Sequence, residues 1–218
     1  MDRQRMDAGQ VRSAYDGASR QYFDRFGKEL DYKPFDRELL NEFVAEATSG
    51  CVLLDLGCGP GHVTEFLQNA GGNVVGIDLA PEMIAEASRQ FPGCRFQVAD
   101  FRSLPFGDGT IGGIVAFYSI VHFSPDELSH VFREMERVLT AGAQLLLSFH
   151  VGDEDIVVDD FLMSGKSLRF QFLQPDAVLG AAIAAGLEAV SCVVRQAYPQ
   201  EHPTQRCYLK VRRPQIKN

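Results

Sequence analysis

A glycine-rich turn follows the first apolar run of the chain. It reads Leu54-Asp55-Leu56-Gly57-Cys58-Gly59-Pro60-Gly61-His62, and an amphipathic pattern begins at Val63. Because glycine has no Cβ and tolerates positive φ, such a turn lets a ligand approach the backbone closely. The N-terminus of the following helix adds partial positive charge, which attracts phosphates and carboxylates alike. The turn therefore predicts a small-molecule binding site.

The spacing of these glycines separates two classes of ligand. A dinucleotide fingerprint, G-x-G-x-x-G, needs a third glycine at position 62, whereas this chain has His62 there and Gly61 before it. Asp55 also suits a cationic ligand better than a pyrophosphate, although it could equally make a hydrogen bond within the loop. A nicotinamide-dependent oxidoreductase is therefore the less favoured alternative.

Two further acids stand where strands are predicted to end. Asp78 lies 19 residues beyond Gly59, and Asp100 follows the next apolar run. A carboxylate at the end of the second strand can accept hydrogen bonds from both hydroxyls of a ribose. Helix capping is the alternative role for both acids. Because neighbouring parallel strands end at the same edge, the turn, Asp78 and Asp100 should form one spatial set.

The apolar runs alternate with helical patterns along the chain. Five runs are predicted as buried parallel strands: 51–56, 73–77, 95–99, 111–117 and 144–149. Two more are expected near 189–195 and 206–212. The clearest helix start is Ser124-Pro125-Asp126-Glu127, with an N-cap, a first-turn proline and a capping-box glutamate. The pattern predicts an α/β, Rossmann-like fold with a doubly wound, seven-stranded, mostly parallel sheet and an N-terminal helical cap.

We interpret the chain as one domain over residues 1–218. Residues 1–45 form the helical cap, 50–150 the cofactor-binding core, and 151–218 a substrate-side insertion with the C-terminal strands. The alternation breaks from Val151 to Gln174, and we expect that insertion to wall the pocket. The aromatic segment 1–32 is expected to act as a lid, although aromatic residues on a helix often serve only the core.

The balance of charges argues against two kinds of partner. The 21 Lys plus Arg and 29 Asp plus Glu give a formal net charge of -8, which repels nucleic acid and anionic lipid surfaces. The start, MDRQRMDAGQ, lacks the apolar core of a secretory signal. We expect a cytoplasmic monomer or homodimer that binds no nucleic acid and no membrane. Five widely spaced cysteines without a Cys-x-x-Cys pair predict reduced thiols and no metal site.

Five segments together resemble the class I S-adenosylmethionine-dependent methyltransferases, in their small-molecule branch. They are LDLGCGPG (54–61), GIDLAPEMI (76–84), VADFRSLPF (98–106), GGIVAFYSIVHF (112–123) and FREMERVLTAGAQLLLSF (132–149). The family's usual glycine pair before the fifth strand is Ala141-Gly142-Ala143 here. The resemblance implies transfer of a methyl group from S-adenosylmethionine to a small-molecule acceptor by direct in-line displacement. A non-catalytic S-adenosylmethionine-binding protein is the alternative.

The resemblance also implies which side chains surround the cofactor. The turn is expected to line the site and to cradle the methionine part with its glycines: Asp55, Gly57, Cys58, Gly59 and Gly61. Residues at the next two strand ends should hold the ribose and adenine: Asp78, Leu79, Met83, Asp100 and Phe101. Three residues should pass beneath the methionine: Phe117, Tyr118 and Ser119. Two cap tyrosines should approach the methionine carboxylate: Tyr15 and Tyr22.

Two histidines are candidates for a catalytic base. In-line transfer relies on positioning, worth ~7 to 11 kcal/mol, and needs no covalent intermediate. A base helps when the acceptor must lose a proton, and His122 and His150 lie near the ends of the fourth and fifth strands. Either could instead be structural. As a base, His122 would be expected to titrate near ~6.5, the pKa of an unperturbed imidazole. His62 is expected to cap or line the cofactor site.

Overall fold

Two helices precede the first strand and form the N-terminal cap. A computed structural model describes residues 6–47 and 50–215, so the first five residues of the predicted lid lie outside the described part. Helix α1, Ala8–Phe26, begins with a capping box between Asp7 and Gln10. A 3-10 helix, Glu29–Tyr32, leads to helix α2, Pro34–Glu46.

The core then alternates strands and helices as the sequence predicts. Its elements in chain order are β1 Val52–Leu56, α3 His62–Asn69, β2 Val74–Asp78, α4 Pro81–Gln90, β3 Arg95–Val98, β4 Ile111–Phe117, α5 Pro125–Val138 and β5 Leu139–Val151. The remainder contains β6 Asp155–Val158, a 3-10 helix Phe161–Met163, β7 Leu168–Gln171, α6 Pro175–Ala184, β8 Glu188–Arg195 and β9 Gln205–Arg212. No described helix is long and apolar enough to cross a bilayer.

Seven strands form one sheet in the order β3-β2-β1-β4-β5-β9-β8. The first five are parallel, and β9 runs antiparallel to both β5 and β8. The predicted Rossmann-like, mostly parallel seven-stranded sheet is thereby confirmed. The chain direction across the sheet reverses between β1 and β4, and a cleft opens beyond the carboxyl ends of strands at such a point. The predicted ligand site therefore lies at the end of β1.

Apolar side chains fill both sides of the sheet. Leu54 and Ile114 face a cluster that includes Phe132 of α5, while Leu53 packs on the opposite side with Phe43 of α2. Neighbouring residues of β1 thus point to opposite faces, as strand geometry requires. The two covered faces hold the central strands rigid, so their ends present residues at fixed positions.

Two parts of the chain differ from the sequence prediction. Strand β3 is mostly exposed, with Val98 at 44%, because it is an edge strand and pairs only with β2. The prediction that it is buried was wrong. The insertion 151–174 holds strands β6 and β7, which pair as a separate antiparallel hairpin, whereas the sequence showed only that the alternation stops there.

A buried ionic network ties α2 to the last two strands. The carboxylate of Asp36, which is fully buried, accepts hydrogen bonds from Arg195 Nη2 at 2.9 Å and from Tyr208 Oη at 2.8 Å. Arg195 also donates to both carboxylate oxygens of Glu201, at 2.6 and 2.9 Å. One guanidinium therefore neutralises two poorly solvated carboxylates.

Replacing this guanidinium should destabilise the fold strongly. In Arg195→Met the carboxylates of Asp36 and Glu201 lose their shared cation, and removing one member of a buried pair costs about 3 to 5 kcal/mol. Urea unfolding at neutral pH measures the loss. The matched control is Arg212→Met, whose partner Glu188 is about half exposed, so a change below ~1 kcal/mol is expected. Equal effects of the two substitutions would contradict the assignment.

Candidate active site

The glycine-rich turn adopts a backbone that favours glycine at three positions. Gly57, Gly59 and Gly61 have φ values of 72°, 52° and 89°, in the left-handed region that other residues rarely enter. A Cβ at Gly57 would lie 2.3 Å from the Cβ of Ser119, which no side chain could tolerate. At Gly61 it would lie 2.7 Å from the Phe96 ring. Gly61 therefore serves the packing of α3 on the sheet, while Gly57 and Gly59 line the cleft.

Asp78 joins the turn to the start of α4. Its Oδ2 accepts from the Gly59 N–H at 2.9 Å, and its Oδ1 accepts from the Ala80 N–H at 2.9 Å. Burial raises the pKa of this carboxyl to about 6. Because a carboxylate oxygen can accept more than one hydrogen bond, both oxygens keep capacity toward the cleft that Asp78 lines. Asp78 therefore holds the backbone just before α4 without capping the helix, and its ligand-binding role stays a prediction.

Asp55 makes the loop hydrogen bond that was its alternative role. Its Oδ2 accepts from the hydroxyl of Thr64 on α3 at 2.6 Å, and the residue is 2% exposed. Burial raises the pKa of the Asp55 carboxyl to about 6. The carboxylate therefore braces the turn against α3, and a direct contact with the cofactor stays a prediction.

A first cavity of about 110 Å³ opens beside the turn. Most of the predicted cofactor residues line it: Tyr15, Tyr22, Gly57, Gly59, Asp78, Leu79, Asp100, Phe101, Phe117, Tyr118 and Ser119. Met83 is completely buried and is not among the lining residues, so its proposed place near adenine requires contact through Leu79 or Ala80. The Ser119 hydroxyl is buried without a hydrogen-bond partner in the described structure. An unpaired polar atom at such a place fits a polar ligand.

Asp100 is held by a residue that the sequence analysis overlooked. Arg102 donates through Nε and Nη2 to the two oxygens of the Asp100 carboxylate, at 2.9 and 2.6 Å, and both residues line the first cavity. Although burial opposes it, these hydrogen bonds lower the pKa of Asp100. Arg102 follows Asp100 by two residues, and this short spacing was the available signal for the pair.

A second cavity of about 540 Å³ adjoins the first. The two cavities share Tyr15, Tyr22, Gly57, Gly59, Phe117 and Tyr118, while Asp55 and Cys58 line only the second. Further aromatic residues line it: Phe26, Tyr32, Phe161 and Phe170. Its polar and charged lining is Arg25, Glu29, Lys33, His62, His150, Gln200, Glu201, His202 and Arg206. The shared walls make the pair one connected site with room for a second molecule.

His122 joins three parts of the chain. Its Nδ1 lies 2.9 Å from the carbonyl oxygen of Arg169 on the hairpin, so Nδ1 carries the proton and donates. Its Nε2, 2.8 Å away from the Tyr15 hydroxyl of α1, then accepts. Burial lowers the pKa of His122 to about 4, so the expected titration near 6.5 is wrong. A base role for His122 would require Tyr15 to give up this hydrogen bond.

His150 also lies among partners that keep it neutral. Its Nδ1 is 2.7 Å from the Thr204 hydroxyl, and its ring stacks on Phe172 with centroids 5.6 Å apart. Burial first, and then the charges of Arg206 and other neighbours, lower its pKa to about 3. His150 lines only the second cavity, whereas His122 lines the first. The catalytic role of both histidines stays a prediction.

Tyr118 carries backbone strain at the floor of the site. It follows β4 directly and has a φ of 53°, which is uncommon for a residue with a Cβ. Its hydroxyl lies 3.1 Å from that of Tyr208, and the Lys33 ammonium lies 4.6 Å from its ring centroid. Such strain persists where the surroundings fix it and concentrates at functional sites.

Known proteins share this domain. Residues 53–142 match the family model described as a methyltransferase domain. A malonyl-[acyl-carrier protein] O-methyltransferase of Pectobacterium atrosepticum is 29% identical over 142 residues, 52% of this chain and 54% of that protein. A human protein described as probable tRNA methyltransferase 9B is 31% identical over 120 residues, 55% of this chain and 25% of that protein.

Solved structures share the architecture. A Methanosarcina mazei S-adenosylmethionine-dependent methyltransferase superposes with a TM-score of 0.69 at 18% identity, covering 79% of this chain and 97% of that one. A [4+2]-cyclase gives 0.76 at 17% identity, covering 97% and 98%. At 17 and 18% identity, both similarities show a shared fold and nothing more.

Residues 53–142 thus match a methyltransferase domain, and the relatives and the shared fold agree with the sequence resemblance to class I S-adenosylmethionine-dependent methyltransferases. The chain spans about half the length of the first curated relatives it matches. The names of these relatives therefore do not define the acceptor of this chain.

Removing the His122 bridge should cost stability in a pH-dependent way. In His122→Phe the Tyr15 hydroxyl and the Arg169 carbonyl lose their partner, so a loss of about 2 to 4 kcal/mol is expected at pH 7. The unfolded imidazole binds a proton near pH 6.5 that the folded one binds only near pH 4, so the wild-type advantage should shrink as the pH falls through that window.

Urea unfolding at pH 7.5, 6 and 4.5 measures this difference. His130→Phe is the control, because His130 is exposed on α5, and a change within about 0.5 kcal/mol is expected. Unchanged stability of His122→Phe, together with a ~100 to 10,000-fold lower turnover, would instead favour the base role.

Proposed function

We propose that this protein transfers a methyl group from S-adenosylmethionine to a small-molecule acceptor. The observation that carries the proposal is the glycine-rich turn, bound to Asp78 at the β1–β4 switch point, opening onto two connected cavities. One cavity then holds the cofactor, and the other holds the acceptor. This arrangement brings two molecules together outside bulk water, which is the main requirement of an in-line displacement.

The residues of the first cavity fit S-adenosylmethionine. Asp78 offers two carboxylate oxygens to a ribose, and Phe101, 6% exposed, offers an apolar surface to adenine. Gly57 and Gly59 let the methionine part approach the backbone, and the orphan Ser119 hydroxyl lies beside Gly57. When bound, S-adenosylmethionine supplies a methyl group made electrophilic by the positively charged sulfur. The protein needs only to bind, orient and keep out water.

The cap and the insertion provide the cover that excludes water. Asp16 of α1 accepts a hydrogen bond from the Glu82 N–H at the start of α4, at 2.9 Å. The His122 bridge joins α1 to the hairpin, and Phe161 of the insertion packs on Tyr15 with centroids 5.5 Å apart. These contacts support a lid formed by residues 1–32 and the insertion 151–174, whose motion would admit and release the reactants.

The second cavity favours a small molecule over a polymer. Aromatic and ionic side chains enclose it on the cap, core and C-terminal sides, as in sites that bury most of a small ligand. The net charge of -8 disfavours nucleic acid, although one relative is described as a tRNA methyltransferase. A cytoplasmic monomer or homodimer without nucleic-acid or membrane partners is part of this proposal.

Two other functions remain as alternatives. A non-catalytic S-adenosylmethionine-binding protein would keep the first cavity without transferring the methyl group, and the shared fold of a [4+2]-cyclase illustrates that the architecture alone does not define a reaction. A nicotinamide-dependent oxidoreductase would need the dinucleotide spacing that Gly61 and His62 break.

Asp78→Ala should weaken S-adenosylmethionine binding ~10 to 150-fold, because two charge-assisted hydrogen bonds to the ribose are lost. Calorimetric titration of the wild type and the variant measures the change, and circular dichroism checks the fold. Asp176→Ala is the matched control, since Asp176 is exposed on α6 outside both cavities. Unchanged affinity in folded Asp78→Ala would remove Asp78 from the site, and tighter binding of NAD than of S-adenosylmethionine would overturn the function.

A further inference from the structure

The acidic side chains of the second cavity are already paired. The carboxylate of Glu29 accepts hydrogen bonds from Lys33 Nζ at 2.7 Å and from His62 Nε2 at 3.2 Å. Glu201 accepts two hydrogen bonds from Arg195 and one from the Tyr198 N–H at 2.7 Å. The third acid, Asp55, accepts from Thr64. Glu29 and Glu201 therefore each already have a cationic partner.

The cationic side chains of the same cavity keep donors unused. Arg206 is 2% exposed, and its Nη1 donates to the carbonyls of His202 and Thr204. Its buried Nε has no hydrogen-bond partner among the described residues, although a Glu201 oxygen lies 3.5 Å away. Lys33 keeps an N–H beyond its two acid contacts, and exposed Arg25 lines the cavity as well. The unused hydrogen-bond donors of the second cavity therefore lie mainly on its positively charged side chains.

Three of the four histidines around the two cavities already have side-chain hydrogen-bond partners. Both ring nitrogens of His122 are engaged, and the Nδ1 of His150 contacts Thr204. His62 is tied to Glu29, and its other nitrogen is buried from solvent. The fourth, His202, is exposed and lines the second cavity, with its ring centroid 6.4 Å from that of His150. An acceptor that is already ionised would need none of these groups.

We propose that the acceptor is a small carboxylic acid, whose carboxylate is attracted by Lys33, Arg206 and Arg25 and is methylated on oxygen. The inference rests on the proposed methyl transfer and names its substrate class. An amine acceptor is protonated at neutral pH, and Glu29 and Glu201, two acids that could attract it, already pair with Lys33 and Arg195. An alcohol would have to lose a proton to a base. The malonyl group in the name of the Pectobacterium relative also bears a carboxylate.

The step balances without a proton. A carboxylate oxygen uses a lone pair to form a C–O bond with the methyl carbon, while the C–S bond breaks and its electron pair stays on sulfur. The products are a methyl ester and the neutral thioether S-adenosylhomocysteine. The negative charge of the acceptor and the positive charge of the sulfonium disappear together, and no proton is released. An alcohol or a protonated amine would release one proton per methyl group transferred.

The first test uses the wild-type protein, methyl-tritiated S-adenosylmethionine and matched compounds. The acids are succinate, benzoate and a malonyl thioester, and the comparison compounds are succinamide, benzamide, benzyl alcohol and benzylamine. We expect label only in the acids, released as volatile methanol by mild alkali because the product is an ester. Alkali-stable label in the alcohol or the amine would overturn the proposal. Failure to bind S-adenosylmethionine in a separate titration would instead overturn the proposed function itself.

The second test measures binding, which is informative even if no compound in the set is methylated. Succinate and benzoate are titrated against their amides in protein saturated with S-adenosylhomocysteine, and the acids should bind at least ~10-fold more tightly. Arg206→Gln should remove that preference while leaving S-adenosylmethionine affinity within about twofold. Arg133→Gln, at an exposed site on α5, is the matched control.

Arg25→Gln supplies a second variant if Arg206→Gln fails to fold, because Arg25 is exposed and its loss should be tolerated. It should reduce the preference for acids about threefold. Acids that bind no better than their amides to the wild type, or an unchanged preference in a folded Arg206→Gln protein, would overturn the proposal.

Discussion

Three successive backbone N–H groups of the turn donate to the last two residues of β2, and the rest of the site depends on this attachment. Gly57 and Cys58 both donate to the Ile77 carbonyl, at 2.7 and 3.0 Å, and Gly59 donates to the Asp78 side chain. The turn can satisfy these bonds only with glycine in the left-handed region. The proposed cofactor cleft, Asp78 and the start of α3 are thereby fixed relative to the sheet.

Sequence reasoning located this core because its signals are local. Strand ends, glycine positions and the Ser124 capping box depend on residues a few positions apart, and β4 was placed at its observed bounds. Sequence reasoning failed where the structure depends on contacts between residues far apart in the chain. Nothing near β3 shows that the strand lies at an edge, and the partners that fix the tautomer of His122 come from positions 15 and 169. The hairpin of β6 and β7 was also missed, because its two strands pair with each other and not with the main sheet whose alternation the sequence shows.

The two cavities draw on different parts of the chain. The first uses the ends of β1, β2 and β4, where the fold itself places ligands. The second depends on Lys33 from the cap and Arg206 from β9, together with the segment that contains Glu201. Under the proposed function, substitutions in the cap and the C-terminal strands would change the acceptor cavity while the first cavity is retained.

The hydrogen bond from His122 to the hairpin ends on the carbonyl of residue 169 and not on its side chain. Every amino acid has a backbone carbonyl, so this hydrogen bond does not depend on which residue occupies position 169. Residue 169 is not among the residues that line the two cavities, so its side chain can change without altering either wall. This hydrogen bond therefore restricts positions 15 and 122 but not position 169, where the side chain is held instead by its ion pair with Asp155 of the same hairpin.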